Sequence, residues 1–381
     1  MRFKFPIRAR RWVLGLVAIG CWAGLGDTVA AQRRPAAELL PEETLVYLRI
    51  GDVKTFLERS RDTAMGRMLN DPEVSPLVEN LYGMATDEYE AVRERTGLSL
   101  DELLSLPQGE LCFALVRTKD GDQPMAPVFL LDVGDSADLA ETLVQHGEMA
   151  IDEQGTTRDE EDYEGTMIRT VNPNDPDERL VYFRRDTTWG FSNDPEVVRA
   201  LLARWNVAPT SRDKVFSNNR KFVTIMNRCR GTADARPDLT FFIDPYGIFQ
   251  ATQSGVQGAV ATAFAKTLGV DGFLGIGGSS ILGIDGFESI SHMHVLLASP
   301  RIGVVKMLAM QDGSIEPPSF VPASIVTYMT LNWDIPTTFD TFEELYNKTS
   351  QSETALQDGI ADISESLGVD FKADILDNLS L

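Results

Sequence analysis

The chain has 381 residues, of which 43% are hydrophobic, and carries 35 Lys and Arg against 57 Asp and Glu, a formal charge of −22. This length and apolar content support two or three domains with real cores and exclude a disordered chain. The acidic excess repels nucleic acid and anionic lipid surfaces, and its simplest role is solubility.

In chain order, residues 1–31 come first and read as a signal peptide. Arg2, Lys4, Arg8, Arg10 and Arg11 form a basic head, Trp12 to Leu25 an apolar run, and Val29-Ala30-Ala31 a small-residue exit, which places cleavage after Ala31. The apolar run is short of the ~20 residues that span a bilayer. Two variants stay open. Arg10-Arg11 before Trp12-Val13-Leu14 has the look of a twin-arginine signal, and Ala18-Ile19-Gly20-Cys21 that of a lipoprotein box with Cys21 lipidated. No later stretch is apolar and long enough to span a membrane; Gly255 to Phe273 comes nearest, and Lys266 and Asp271 interrupt it. Export makes a disulfide between Cys112 and Cys229 chemically possible. Cys112 sits in an apolar strand-like run and Cys229 late in a helix-like one, and a domain this size needs no staple, so buried free thiols are the simpler expectation.

The body predicts an α+β fold of antiparallel or mixed sheets with helices packed on one face, built on a repeated strand-helix-strand-strand-helix module. Three runs share a Pro before a β-rich apolar stretch: Pro41 before Thr44 to Ile50, Pro237 before Leu239 to Ile243, and Pro322 before Ile325 to Leu331. Helical sequence follows each, at Val53 to Met68 and Ser75 to Thr96, at Tyr246 to Thr267, and at Thr338 to Leu367. Gly97, Gly269 and Gly368 then serve as C-caps. The first two copies continue into strand pairs. One pair is Glu110 to Arg117 with Pro127 to Val133, turned at Lys119-Asp120-Gly121-Asp122 and followed by a helix from Ala137 to Met149. The other is Phe273 to Leu282 with Glu288 to Ala298, followed by a helix from Ile302 to Met310.

Between these copies an antiparallel meander is expected from Thr166 to Val171, Leu180 to Arg185 and Thr188 to Ser192. Helices from Pro195 to Trp205 and Asn219 to Arg230 come after it. The acidic stretches Asp159-Glu160-Glu161-Asp162 and Asn174-Asp175-Pro176-Asp177-Glu178 read as solvated loops. The segments are then 38–205, a first module with its meander; 206–316, a second module; and 317–381, the start of a third, mostly helical module that stops early.

The opening Leu40-Pro41-Glu42-Glu43-Thr44 with Tyr47, the Gly97…Leu103-Leu104…Gly109-Glu110 stretch, and the turn Phe191-Ser192-Asn193 form a set with Ser217-Asn218-Asn219…Phe222 and Phe242-Ile243-Asp244-Pro245. The set resembles exported bacterial proteins grouped as a domain of unknown function. The resemblance implies an exported envelope protein and attaches no activity to any residue.

A search for chemistry finds no complete catalytic motif and implies no cofactor. His292 and His294 lie two apart on an expected strand, so they share one face and could begin a zinc or copper site, with Asp285 or Glu288 as a further ligand. Ordinary strand residues are the simpler reading. His146, before Gly147, is placed at a helix C-terminus. The glycine-rich Gly272 to Ser280 lacks the Lys of a phosphate loop and the spacing of a dinucleotide fingerprint, so its glycines serve close packing. Trp189, Trp205, Trp333, Tyr328 and Phe339 could line a carbohydrate or peptide groove, though core is the commoner fate of such rings.

These signs point to an exported, non-enzymatic protein of the periplasm or cell envelope that binds or scaffolds an envelope component. The alternatives are a carboxylate hydrolase of peptidoglycan or polysaccharide, and a metal-binding protein through His292 and His294.

Overall fold

The computed structural model describes residues 33–74, 76, 99–118, 123–153, 155–230, 235–284, 286–314, 316–325, 328–370 and 374. The proposed leader, the helix expected from Ser75 to Thr96, the C-cap at Gly97, the turn at residues 119–122 and nearly all of 371–381 lie outside them.

The fold is α+β. Ten strands form one antiparallel sheet: β1 (Thr44–Ile50), β2 (Leu111–Arg117), β3 (Met125–Asp132), β4 (Arg158–Tyr163), β5 (Thr166–Val171), β6 (Leu180–Arg185), β7 (Thr188–Ser192), β8 (Leu239–Ile243), β9 (Phe273–Ile284) and β10 (Phe287–Leu297). Their order across the sheet is β10-β9-β8-β1-β2-β3-β7-β6-β5-β4. The strands of the expected meander have the bounds read from the sequence. The first and second entering strands pair with each other, Leu48 opposite Phe241, so β2 and β3 extend one way and β9 and β10 the other. This order accommodates a two-copy repeat without requiring one.

The third entering strand does not form among the described residues. The stretch after Pro322 has no ladder, and Ile325, Met329 and Leu331 are exposed. β propensity alone does not hold a strand without a partner. An isolated bridge between Met310 and Trp333 is the pairing found near it.

One strand went unforeseen. The acidic run expected as a loop is β4, paired with β5 residue by residue from Arg158 opposite Val171 to Tyr163 opposite Thr166. Its backbone hydrogen bonds form although its side chains carry no apolar alternation.

Helices cover both faces of the sheet, where the sequence led us to expect one. On one face lie α1 (Ala36–Leu39), α6 (Pro195–Leu202) and α7 (Arg220–Arg228). There Tyr47, Phe216, Phe222 and Phe242 pack ring on ring, with centroids 4.3–5.9 Å apart. On the other face α5 (Ala137–Glu153) covers Trp189, Tyr182 and Val171, with Leu106 and Val133 joining the cluster. Neighbouring residues on one strand point to opposite faces. Tyr182 and Phe183 are both buried, so β6 needs a cover on each side.

The remaining helices in chain order are α2 (Val53–Arg61), α3 (Ala64–Leu69), α4 (Leu100–Ser105), α8 (Pro245–Ala251), α9 (Gly255–Thr267), α10 (Ile335–Ser350) and α11 (Ala355–Leu367). Three helices expected as continuous are each broken, the first between α2 and α3, where Thr63 caps the second piece. Gly255 takes φ +63° between α8 and α9, and Gln351 takes φ 54° after α10. Gly269 and Gly368 adopt the left-handed geometry expected of C-caps. The segment after Ile302 is a 3-10 helix, Gly303–Leu308.

The chain divides into two compact units. One comprises Met1–Ala251 with Gly275–Val295 and holds the sheet; the other comprises Thr252–Leu274 with Leu296–Leu381 and is mostly helical. No helix among the described residues is long and apolar enough to cross a membrane.

Candidate functional site

The sequence directs attention first to β10. Alternation puts Glu288, Ile290, His292 and His294 on one side of the strand and Phe287, Ser289, Ser291 and Met293 on the other. Both histidines are half-buried, and Nδ1 of His292 is buried without a hydrogen-bond partner. Glu288, the ligand suggested to complete them, is already engaged. Its carboxylate accepts from the Ala64 amide at 2.7 Å and from Arg67 Nη2 at 2.5 Å. Those two donors, the amide first, favour the charged form and hold its pKa below the usual carboxylate range. Asp285 lies outside the described residues. Among the described residues no three His, Cys, Asp or Glu side chains gather to hold a metal. Among the described residues, then, the two imidazoles have no completing ligand.

A denser polar cluster lies beneath the N-terminal arm. Glu110, at the entrance to β2, accepts from the Ala36 amide at 3.1 Å and pairs with Arg33 Nη1 at 2.8 Å and with Arg49 Nε. Arg33 also donates from Nε to Thr188 Oγ1 at 3.0 Å and lies 5.7 Å over the Trp205 ring. Its Nη2 is buried and unpartnered. Two guanidinium groups around one carboxylate leave an excess positive charge here, in a site largely shielded from solvent, with Arg49 21% exposed. Tyr47 and Cys112 adjoin the cluster. Burial, then the charges of Cys112 and Glu110, drives the Tyr47 hydroxyl well up; burial, then Glu110, drives the Cys112 thiol up. A thiol held protonated and sealed from solvent is a poor nucleophile. Cys112 and Cys229 are both buried and free, as expected.

The other predicted residues disperse. His146 is not at a helix end: α5 runs through Gly147 to Glu153, because Ile151 still has the Trp189 cluster to pack against. Trp189 and Trp205 are core residues. In the second unit Trp333 is 44% exposed and donates to the Met307 carbonyl at 3.0 Å, while Tyr328 and Phe339 are half-buried. The glycines of β9 do serve packing. A Cβ on Gly277 would meet the Phe241 carbonyl at 2.8 Å and Ile225 Cγ2 at 2.9 Å, so α7 approaches β9 only because that atom is missing.

Acid-base chemistry finds little support. A carboxylic general acid needs its acidity weakened by burial or by a like charge. Among the described residues, the carboxylates that this fold shifts, Glu161, Glu288 and Asp334, all move the other way through donated hydrogen bonds.

What the sequence search did not single out is the exposed side of β10. Phe287 is 63% and Met293 71% exposed, on a strand with one neighbour in the sheet. The signal was present in the residues: across Phe287–Leu297 the only Asp, Glu, Lys or Arg is Glu288. No protein-family model, curated protein or solved structure matches the chain.

Proposed function

We propose that the chain is an exported, non-enzymatic protein of the periplasm or cell envelope whose work is binding or scaffolding. The carrying observation is the contrast between its polar groups and its surface. The best-organised charged cluster, Arg33-Glu110-Arg49, is closed off and occupied with holding the fold. Large apolar side chains on β10 and in the second unit, among them Met293, Phe320 and Met329, stand in solvent instead. Exposed apolar residues in such numbers are a mark of contact surfaces. Export rests on the basic head, the short apolar run and the Val29-Ala30-Ala31 exit.

N-terminal sequencing of the protein recovered from a fractionated bacterial host tests the address. The expected product starts at Gln32 and lies in the envelope or medium; an intact chain in the cytosol would overturn the reading. Crosslinking in intact envelopes tests the role, with a specific envelope component expected on the bait. A bait that enriches nothing over an unrelated acidic protein would remove the scaffolding half.

A further inference from the structure

We propose that β10 is a homodimer edge, pairing antiparallel with the β10 of a second copy about a two-fold axis at Ser291. The inference stands independently of the export reading. A terminal strand presents a row of unpaired N–H and C=O groups that templates another strand unless it is blocked. The two ends of this sheet treat that hazard differently. β4 carries charge at five of six positions, Arg158 to Asp162. β10 is eleven residues long and carries Glu288 alone. Among the described residues no strand pairs with its outer edge.

The register follows from symmetry and charge. A two-fold axis perpendicular to the sheet keeps each face on its own side, so opposed residues must share parity along the strand. Centring on His292 would set Glu288 against Leu296. Centring on Ile290 sets Glu288 against His292 and shortens the overlap to 287–293. Centring on Ser291 sets Glu288 against His294, gives the longer overlap 287–295, and opposes Phe287 to Val295 and Ser289 to Met293. Of the three, the Ser291 register is the longest in which the one carboxylate, which keeps its Ala64 and Arg67 donors, lies opposite an imidazole. It also joins exposed Phe287 and Met293 into a shared strip on the other face. A second copy fits this edge because the repulsion between two acidic bodies is weakest where the edge is nearly free of charge.

Sedimentation equilibrium of the purified protein at tens of micromolar tests this. Wild type is expected to be dimeric. Ser289→Lys with Met293→Lys sets lysine against lysine twice and should raise the dissociation constant about tenfold or more. Ser289→Glu with Met293→Lys sets glutamate against lysine in the same places and should restore the dimer. Both positions are exposed, and circular dichroism confirms that each variant is folded. A monomeric wild type, a double-lysine variant that stays dimeric, or a folded charge-swap variant that stays monomeric would each overturn the proposal.

Discussion

The Arg33-Glu110-Arg49 cluster and the ion pairs beside β4 use the same side chains to opposite ends. In the cluster, the Arg33, Glu110 and Arg49 side chains are 4%, 9% and 21% exposed, and the ion pairs join parts of the chain far apart in sequence. Beside β4, Arg199 reaches Glu161 and Glu196, Arg169 reaches Glu160, and Arg158 reaches Asp152, with most partners open to solvent. The difference lies in desolvation. A carboxylate removed from water must be compensated by fixed donors, and losing one leaves an uncompensated charge. A solvated pair that breaks is taken up by water and salt. The cluster therefore fixes where the N-terminal arm lies, whereas the outer pairs mainly keep an edge soluble.

The largest effect is expected at Glu110. Glu110→Ala leaves Arg33 and Arg49 facing each other without a counter-charge and frees the Ala36 amide. Loss of about 3–5 kcal/mol is expected, read as a lower urea midpoint at an unchanged slope. The sharper version replaces all three charges, with Arg33→Met, Arg49→Leu and Glu110→Leu together. If desolvation is the controlling cost, this variant should lie within about 2 kcal/mol of wild type, well above the single substitution. A triple variant as unstable as Glu110→Ala would show that the hydrogen-bond geometry, and not the stranded charge, carries the cost.

A middle-sized effect is expected where the two regions meet in α6. Asp194 caps this helix, accepting from the Glu196 amide at 2.8 Å and the Val197 amide at 3.3 Å. The same helix presents Arg199 to Glu161 outside and buries Val198, Leu201 and Leu202 inside. Asp194→Ala should cost about 1 kcal/mol, measured by the same denaturation. Asp194→Asn should recover most of it, since the amide oxygen accepts the same bonds.

Much of this architecture was legible because local chemistry and tertiary context agree. Asn193-Asp194-Pro195 reads as a helix start and is one, and Leu180 to Arg185 reads as a strand and is one. Disagreement came where context acts alone. β4 is held by pairing to β5, which its Arg-Asp-Glu-Glu-Asp-Tyr sequence does not announce. The run after Pro322 has the right composition and forms no ladder among the described residues. Arg33 gives no local sign of burial; only the arrival of Glu110 and Thr188 from distant segments makes its place. The candidate site divides in the same way. His292 and His294 share a face as alternation requires, but a third ligand depends on what the fold brings near, and Glu288 is turned to Arg67. The edge position of β10 is a property of sheet order, which no single strand encodes.

The smallest effect is at the Arg199–Glu161 pair, and its pH dependence separates it from the cluster. Arg199 donates to both oxygens of Glu161, at 2.7 to 3.2 Å, and these bonds, with the guanidinium charge, hold the carboxyl below its ordinary range. A depressed folded-state pKa means that the contribution is complete above the unfolded value of about 4.3 and is lost as pH falls through the folded value. The Glu161 side chain is 43% exposed, so screening keeps the total below about 1 kcal/mol. Glu161→Gln should accordingly lower stability by a few tenths of a kcal/mol to about 1 kcal/mol at neutral pH. That gap should close as pH falls from the unfolded value of about 4.3 through the lower folded one, and should shrink in molar salt. A gap that persisted in both acid and salt would mean that Glu161 acts through packing, and the division between a sealed cluster and a solvated edge would fail at this residue.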